Sequence, residues 1–301
     1  MNPNLFIMGA QKSGSTFLTF SLNQHPDISI VSLEDKTFED PEYESYNGDF
    51  SHLDKIVSKK IYGLSRPNYF GEKKYQKRIK EHFPDSKIII SLRDPTKRAV
   101  SAYYHYMKYG IIPAKSPNFL IELFSKEFDN PKYGGYSDIK GYGLYHSLLQ
   151  NIYQLFDKKN VKIVKFDDLI SSNSSRIFEN IFKFLDLENI ELSKPQKKLQ
   201  KSQYNYKRYL FNNIYFHKKY EYDSKFKKMY SLPYKEMSRY NQIYFNIFTK
   251  ISSVLFENSK DDIISKEILR YINRFYLEDI KKVKTIVDFD IDEWIENYRD
   301  L

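Results

Sequence analysis

The strongest constraint on the fold is the passage from Asn4 to about Asn23, where three kinds of sequence follow one another without a break. Asn4-Leu5-Phe6-Ile7-Met8 is an apolar run of strand length, Gly9-Ala10-Gln11-Lys12-Ser13-Gly14 is a glycine-bounded turn, and an amphipathic stretch begins at Ser15. A short, continuously apolar run reads as a strand buried on both faces, which belongs to a parallel sheet covered by helices. His25-Pro26 ends the helix, because proline disfavours helical geometry in the residue before it.

The alternation continues along the chain. Ile28 to Val31, the β-branched run Lys87 to Leu92, and Val161 to Phe166 read as strands, while Glu72 to Phe83, Lys97 to Met107, Leu144 to Phe156 and Ser174 to Leu185 read as helices. Strands and helices in this order build βαβ units, hence a three-layer α/β fold with a parallel sheet between helices. Ile112 to Gly143, with its proline, glycine and asparagine, reads as a loop. From Pro195 onward strand signals fade, and helices over Tyr240 to Leu255 and Lys266 to Val283 form a helical carboxyl-terminal annex. At 301 residues, one catalytic domain over residues 1–301 accounts for the chain.

Charge and composition narrow the function. The net charge is +9, and residues 194–239 alone hold 13 Lys and Arg against 3 acids, with eight tyrosines from Tyr204 to Tyr234. Residues 194–260 therefore read as a basic, tyrosine-rich helical insertion. It suits a nucleic acid, an anionic membrane or an acidic glycan, or else a solvated helical face. Cysteine is absent, which excludes disulfides, thiolate metal sites and a cysteine nucleophile. The first apolar stretch, Leu5 to Ala10, is only about one strand long and lacks the basic flank and long apolar run of a signal peptide, and no later run approaches the roughly 20 residues of a spanning helix. The expectation is a cytoplasmic protein.

The loop Gly9 to Thr16 is the first candidate site. Glycines let backbone N–H groups turn inward, and the following helix adds positive potential at its N-terminus, so an anion is favoured there. A nucleoside triphosphatase loop, G-x-x-x-x-G-K-[ST], requires lysine at position 15. Ser15 stands there instead, and the lysine comes earlier, at Lys12. The second candidate is Ile88 to His105: Arg93 closes a buried strand, where ligands bind in open α/β sheets, and Ser101 follows within the next helix. A guanidinium can grip a phosphate through two parallel hydrogen bonds.

These two elements together resemble those of the sulfotransferases that use 3′-phosphoadenosine 5′-phosphosulfate (PAPS) and release adenosine 3′,5′-bisphosphate (PAP). The likeness is greatest to the branch that modifies glycans of the heparan type. It runs over about residues 4–190 and 265–295, adding Gly143-Leu144-Tyr145, Lys165-Phe166-Asp167-Asp168-Leu169 and Asp292-Glu293-Trp294. The resemblance implies a P-loop-like sulfotransferase fold and a PAPS site formed by Gln11, Lys12, Ser13, Gly14, Ser15, Thr16, Arg93 and Ser101. Lys12 would reach the oxygen bridging phosphorus and sulfur, and Arg93 with Ser101 would hold the 3′-phosphate. It also implies a carbohydrate or polysaccharide acceptor, with no metal.

The chain departs from that branch in two places. Aligning Phe38 and Asp40 with the branch's general-base stretch puts Asp35, with Glu34 beside it, at the base position. Ser65 stands where relatives carry a lysine, and Arg66 is the nearest replacement for its charge. His25 and His105 invite a base assignment because another branch uses histidine, but His25 precedes a helix-ending proline and His105 follows Ser101 on its own helix. The alternatives are a sulfotransferase acting on a small molecule or a protein tyrosine, a nucleotide kinase with a degenerate loop, and a basic nucleic-acid-binding module.

Overall fold

The computed structural model describes residues 2–32, 35–54, 59–125, 134–172, 174–193, 204–216, 220–223, 228–231, 238–256 and 260–299. In chain order the first elements are β1 (Leu5–Gly9), α1 (Ser15–Leu22), β2 (Ile28–Ser32), α2 (Glu42–Ser45), β3 (Ile61–Ser65), α3 (Lys73–His82) and β4 (Lys87–Leu92). Then come α4 (Pro95–Lys108), α5 (Phe119–Phe124), α6 (Gly134–Gly141), α7 (Tyr145–Leu155), β5 (Val161–Lys165), α8 (Phe166–Leu169) and α9 (Ser174–Phe184). The last are α10 (Tyr206–Phe216), β6 (Tyr220–Asp223), β7 (Lys228–Ser231), α11 (Arg239–Leu255), α12 (Lys266–Val283) and α13 (Glu293–Glu296).

The chain forms two compact units. The first comprises Met1–Asp94, Leu144–Gln200 and Asp279–Ile291. It contains a five-stranded, wholly parallel sheet in the order β2-β3-β1-β4-β5. β1 is central, and its side chains alternate between the sheet faces as a strand's geometry requires. Leu5 and Ile7 join Leu18 and Leu22 of α1 and Phe178, Ile181 and Phe182 of α9 in one core. On the other face Phe6 meets Phe38 and Phe83, with ring centroids 6.0 and 5.7 Å away. Burying each such side chain is worth ~1.5–3 kcal/mol, so this sandwich fixes the frame on which the β1 and β4 ends are held.

The strand order reverses at β1: β3 and β2 lie on one side, β4 and β5 on the other. Such a switch point leaves a crevice beyond the carboxyl ends of the two diverging strands. Here those ends are Gly9 and Leu92, followed by Arg93.

The second unit comprises Pro95–Gly143, Lys201–Glu278 and Asp292–Leu301. Its described residues are mainly helical. Buried Arg98 on α4 donates to the Ile139 carbonyl, and the Tyr276 hydroxyl accepts from Arg98 at 3.4 Å while donating to the carbonyls of Ile139 and Lys140 at 3.1 and 2.9 Å. The region read as a loop from Ile112 to Gly143 contains α5 and α6. Two short strands, β6 and β7, pair antiparallel where the sequence shows no strand signal, with Tyr220 opposite Ser231. No helix among the described residues is long and apolar enough to cross a membrane.

Candidate active site

The glycine loop is built by close backbone packing. A Cβ on Gly9 would stand 2.8 Å from the Pro67 carbonyl oxygen, and one on Gly14, where φ is 80°, would stand 2.5 Å from two carbons of the Phe166 ring. Lys12 also has positive φ, 65°, which an L side chain adopts at a cost of about 1–2 kcal/mol. Three bonds tie this turn to β4 and the residue after it. The Ala10 N–H donates to the Ser91 carbonyl at 2.6 Å, the Ser91 hydroxyl to the Ser13 carbonyl at 2.6 Å, and Arg93 Nη1 to the Lys12 carbonyl at 3.2 Å. β4 thus clamps the loop that leaves β1.

Gln11 to Thr16 and Arg93 are therefore brought together at the carboxyl edge of the sheet. Gln11 Nε2 donates to Asn68 Oδ1 at 3.2 Å. Lys12 is half-buried, Ser13 and Ser15 are buried, and Thr16 is exposed. The Arg93 guanidinium lies over the Phe166 ring, 5.1 Å from its centroid. The Tyr145 hydroxyl anchors the Arg93 carbonyl at 2.8 Å.

The polar groups here fit an anion. No side chain caps α1, whose N-cap is Gly14, so its first-turn N–H groups face outward from a positive helix end. The Ser13 hydroxyl and Arg93 Nε are both buried, and neither has a hydrogen-bond partner among the described residues. Buried donors are almost always satisfied, and phosphate-like oxygens would satisfy both of these. Bulk at position 14 would close the cradle against Phe166.

The candidate base lies in a different segment. The Tyr69 hydroxyl donates to Asp35 at its Oδ1 (2.9 Å) and carbonyl (2.7 Å), and accepts from the Phe38 N–H at 3.3 Å. Thr37 N–H also donates to Asp35 Oδ1, at 3.1 Å. Burial first, and then the Asp35 charge, push the Tyr69 phenol well above its ordinary pKa, so it stays a donor. Glu34 lies outside the described residues. Ser101 belongs to the second unit, where it is buried on α4. Arg98, also on α4, is fully buried with Nε and Nη1 unpartnered among the described residues.

Two further carboxylates, Glu39 and Asp40, are buried nearby in the chain. Glu39 receives Arg66 in a bidentate pair, Nε to Oε1 at 2.6 Å and Nη2 to Oε2 at 2.9 Å. The Arg66 charge is thereby neutralised inside the fold and does not stand in for the missing lysine. Asp40 receives Arg78 at 2.7 Å and also Lys74. Burial raises the Asp40 carboxyl, but the hydrogen bonds and charges of Lys74 and Arg78 outweigh it and hold the group below its ordinary value. The partners lie 27 and 38 residues apart in the chain, so no local sequence signal marks these ion pairs. Ser65 is equally internal, accepting from the Thr19 hydroxyl at 3.0 Å. His25 is 2% exposed; Nδ1 accepts from the Asp27 N–H and Nε2 donates to the Glu188 carbonyl, each at 3.0 Å. Both nitrogens are occupied structurally, and no base is available there.

The sulfotransferase domain family model matches residues 2–242. The chain belongs to the sulfotransferase domain family. Among curated relatives, the membrane-associated sulfotransferase kil1 of Dictyostelium discoideum is 30% identical over 119 residues, 38% of this chain and 25% of that protein. The human bifunctional heparan sulfate N-deacetylase/N-sulfotransferase 3 is 33% identical over 112 residues, 34% of this chain and 13% of that protein. The matches thus span a quarter or less of these relatives. A crystal structure of a sulfotransferase from Alicyclobacillus acidocaldarius shares the fold, with a TM-score of 0.53 at 20% identity, over 87% of this chain and 97% of that one. Among the described residues, no group of three or more His, Asp or Glu is placed to hold a metal ion.

Proposed function

We propose that this protein transfers the sulfuryl group of PAPS to a hydroxyl or amine of a carbohydrate acceptor, and that both compact units serve one sulfotransferase domain. The observation that carries this reading is the pair of buried donors, Ser13 Oγ and Arg93 Nε, unpartnered among the described residues, beside the uncapped start of α1. The donor supplies an activated sulfur whose departure leaves negative charge on a bridging phosphate oxygen. Lys12 holds a fixed positive charge toward that oxygen, where a preorganised cation needs no reorganisation as charge develops. The α1 amides and the hydroxyls of Ser13, Ser15 and Thr16 hold the 5′-phosphate, while Arg93 and Ser101 are assigned the 3′-phosphate by family likeness. Asp35, oriented by Tyr69, takes the proton from the acceptor.

The carbohydrate acceptor draws support from the heparan sulfate N-sulfotransferase relatives, matched over a third of this chain. The cytoplasm, a reducing compartment, is compatible with a chain that has no cysteine.

Calorimetry without added metal tests the donor site. PAP is expected to bind the native chain more tightly than ATP does, and Arg93→Ala to weaken PAP binding by tenfold or more, as loss of a charged, buried contact would at about 1.5–3 kcal/mol. Preference for ATP, or equal PAP binding by the variant, would remove the sulfotransferase donor site from Arg93 and the loop.

A further inference from the structure

α11 carries a long apolar stripe that the second unit does not bury. Its inward side is set by Phe248, whose ring meets Phe211 of α10 at 5.7 Å, and by Ser252, which is 1% exposed. Arg208 of α10 donates to the Ser252 hydroxyl at 3.2 Å, pinning the two helices together. At about 100° per residue, Tyr240, Ile243, Ile247, Ile251, Val254 and Leu255 fall on a separate arc roughly 120° wide. These six side chains are between 42% and 72% exposed. From Tyr240 to Leu255 the stripe runs about 22 Å, at ~1.5 Å of rise per residue.

Charge sorts with this stripe. Exposed Arg239 and Lys250 lie along its edge, and neither α10 nor α11 contains an acidic residue. Over residues 194–256 the sequence has 14 Lys and Arg against 3 acids, a net of +11, whereas the remainder of the chain sums to −2. The whole cationic excess therefore lies in the segment that presents exposed apolar side chains.

We propose that α11 docks this protein on an anionic lipid surface, its apolar stripe entering the headgroup boundary and its flanking cations meeting acidic headgroups. A helix with an apolar stripe, a cationic edge and no acids is the arrangement that lies flat in a bilayer interface. An acidic polysaccharide or a nucleic acid would answer the charge but offers little apolar surface to cover six aliphatic and aromatic side chains. A second copy of the chain would cover them only by bringing two segments of net +11 together. Only an acidic bilayer supplies both partners at once.

The test is co-sedimentation of the full chain with vesicles of phosphatidylcholine, alone or with about one part phosphatidylserine to three, at low and raised salt. The native chain is expected to bind the mixed vesicles and to release with salt. Ile247→Asp/Ile251→Asp should lose about tenfold or more in partitioning, and Arg239→Glu/Lys250→Glu about thirtyfold or more, given roughly 1 kcal/mol for each cation at such a surface. Ile247→Gln/Ile251→Gln, which adds no charge, should also weaken binding, and unchanged circular dichroism and PAP affinity in every variant separate docking from folding and from the donor site. Absence of vesicle binding, equal binding by the isoleucine variants, or a native dimer that the isoleucine variants dissolve would overturn the proposal. So would retention on heparin or nucleic acid with no vesicle binding.

Discussion

Lys12 and Gly14 sit two residues apart in one turn and answer to different physics. Lys12 holds a strained left-handed backbone while its carbonyl is fixed by Arg93, so its ammonium is presented from a position that the fold specifies. Replacing it with alanine leaves the turn intact and removes only the charge. Turnover is expected to fall by about two orders of magnitude or more, as for other lost donors to developing negative charge, with PAP affinity falling much less. Equal loss in turnover and affinity would make Lys12 a binding residue alone. Gly14 is a matter of space: alanine there costs about 1–2 kcal/mol for the positive φ and drives a methyl into Phe166. Gly14→Ala should therefore lower the melting temperature and abolish PAP binding. Adding Phe166→Ala should recover part of the stability, since it clears the clash and leaves the φ cost. Recovery of none would mean that the ring is not what excludes a side chain.

At the scale of elements, α7 illustrates a helix started by a distant carboxylate. Its N-cap, Leu144, offers no side-chain acceptor, and the His146 N–H instead donates to both oxygens of Asp279, each at 3.2 Å. Burial raises the Asp279 carboxyl above its ordinary value, and the hydrogen bonds from the helix start only partly offset it. Asp279→Ala should destabilise the chain by about 1 kcal/mol, the worth of a cap, because it leaves an N–H unsatisfied. Asp279→Asn keeps an acceptor and loses the buried charge, so its urea midpoint should stay within experimental error of the native value or rise. A loss as large as that of alanine would show that the charge itself holds α7.

Which elements were legible follows from the same local forces. β1, β4 and β5 are strongly apolar or β-branched runs, and α3, α4, α7, α9 and α12 carry apolar spacing that their burial reproduces, so all could be read within a residue or two; α11 was legible from apolar spacing alone, since many of its apolar side chains stay exposed. β3 could not: Ile61-Tyr62-Gly63-Leu64-Ser65 is interrupted by a glycine, and Gly63 is there because a Cβ would stand 3.0 Å from Ile30. Its Ser65 and the following Arg66 were consequently weighed as site residues, when both are committed to internal partners. The glycine loop between β1 and α1 was readable because glycine spacing and a helix start are local. The pairs Arg66–Glu39 and Tyr69–Asp35 are 27 and 34 residues apart, and no local pattern encodes them.

For the whole molecule, acid stability isolates one of these long-range contacts. Asp40 is raised by burial but lowered further by Lys74 and Arg78, so its folded carboxyl titrates below its ordinary value of 3.8. A depressed folded pKa gives stabilisation that is fully present above the unfolded value and lost as pH falls through the folded one. Asp279 runs the other way: its raised folded pKa gives a contribution complete only below the ordinary value and lost as pH rises through the raised one. Acidification also increases the net charge above +9 as carboxylates are neutralised, and this repulsion weakens every variant alike. Comparing native protein with Asp40→Asn cancels that common term. The variant should be less stable at neutral pH, where it leaves Arg78 and Lys74 without their carboxylate, and the two urea midpoints should converge as pH falls from about 6 toward about 2. Because the Lys74 side chain is 51% exposed and that of Arg78 only 17%, Arg78→Ala should account for most of the difference and Lys74→Ala for little of it. Parallel pH curves for the native chain and Asp40→Asn would place the acid sensitivity elsewhere and reduce the Asp40 pairs to geometry without energetic weight.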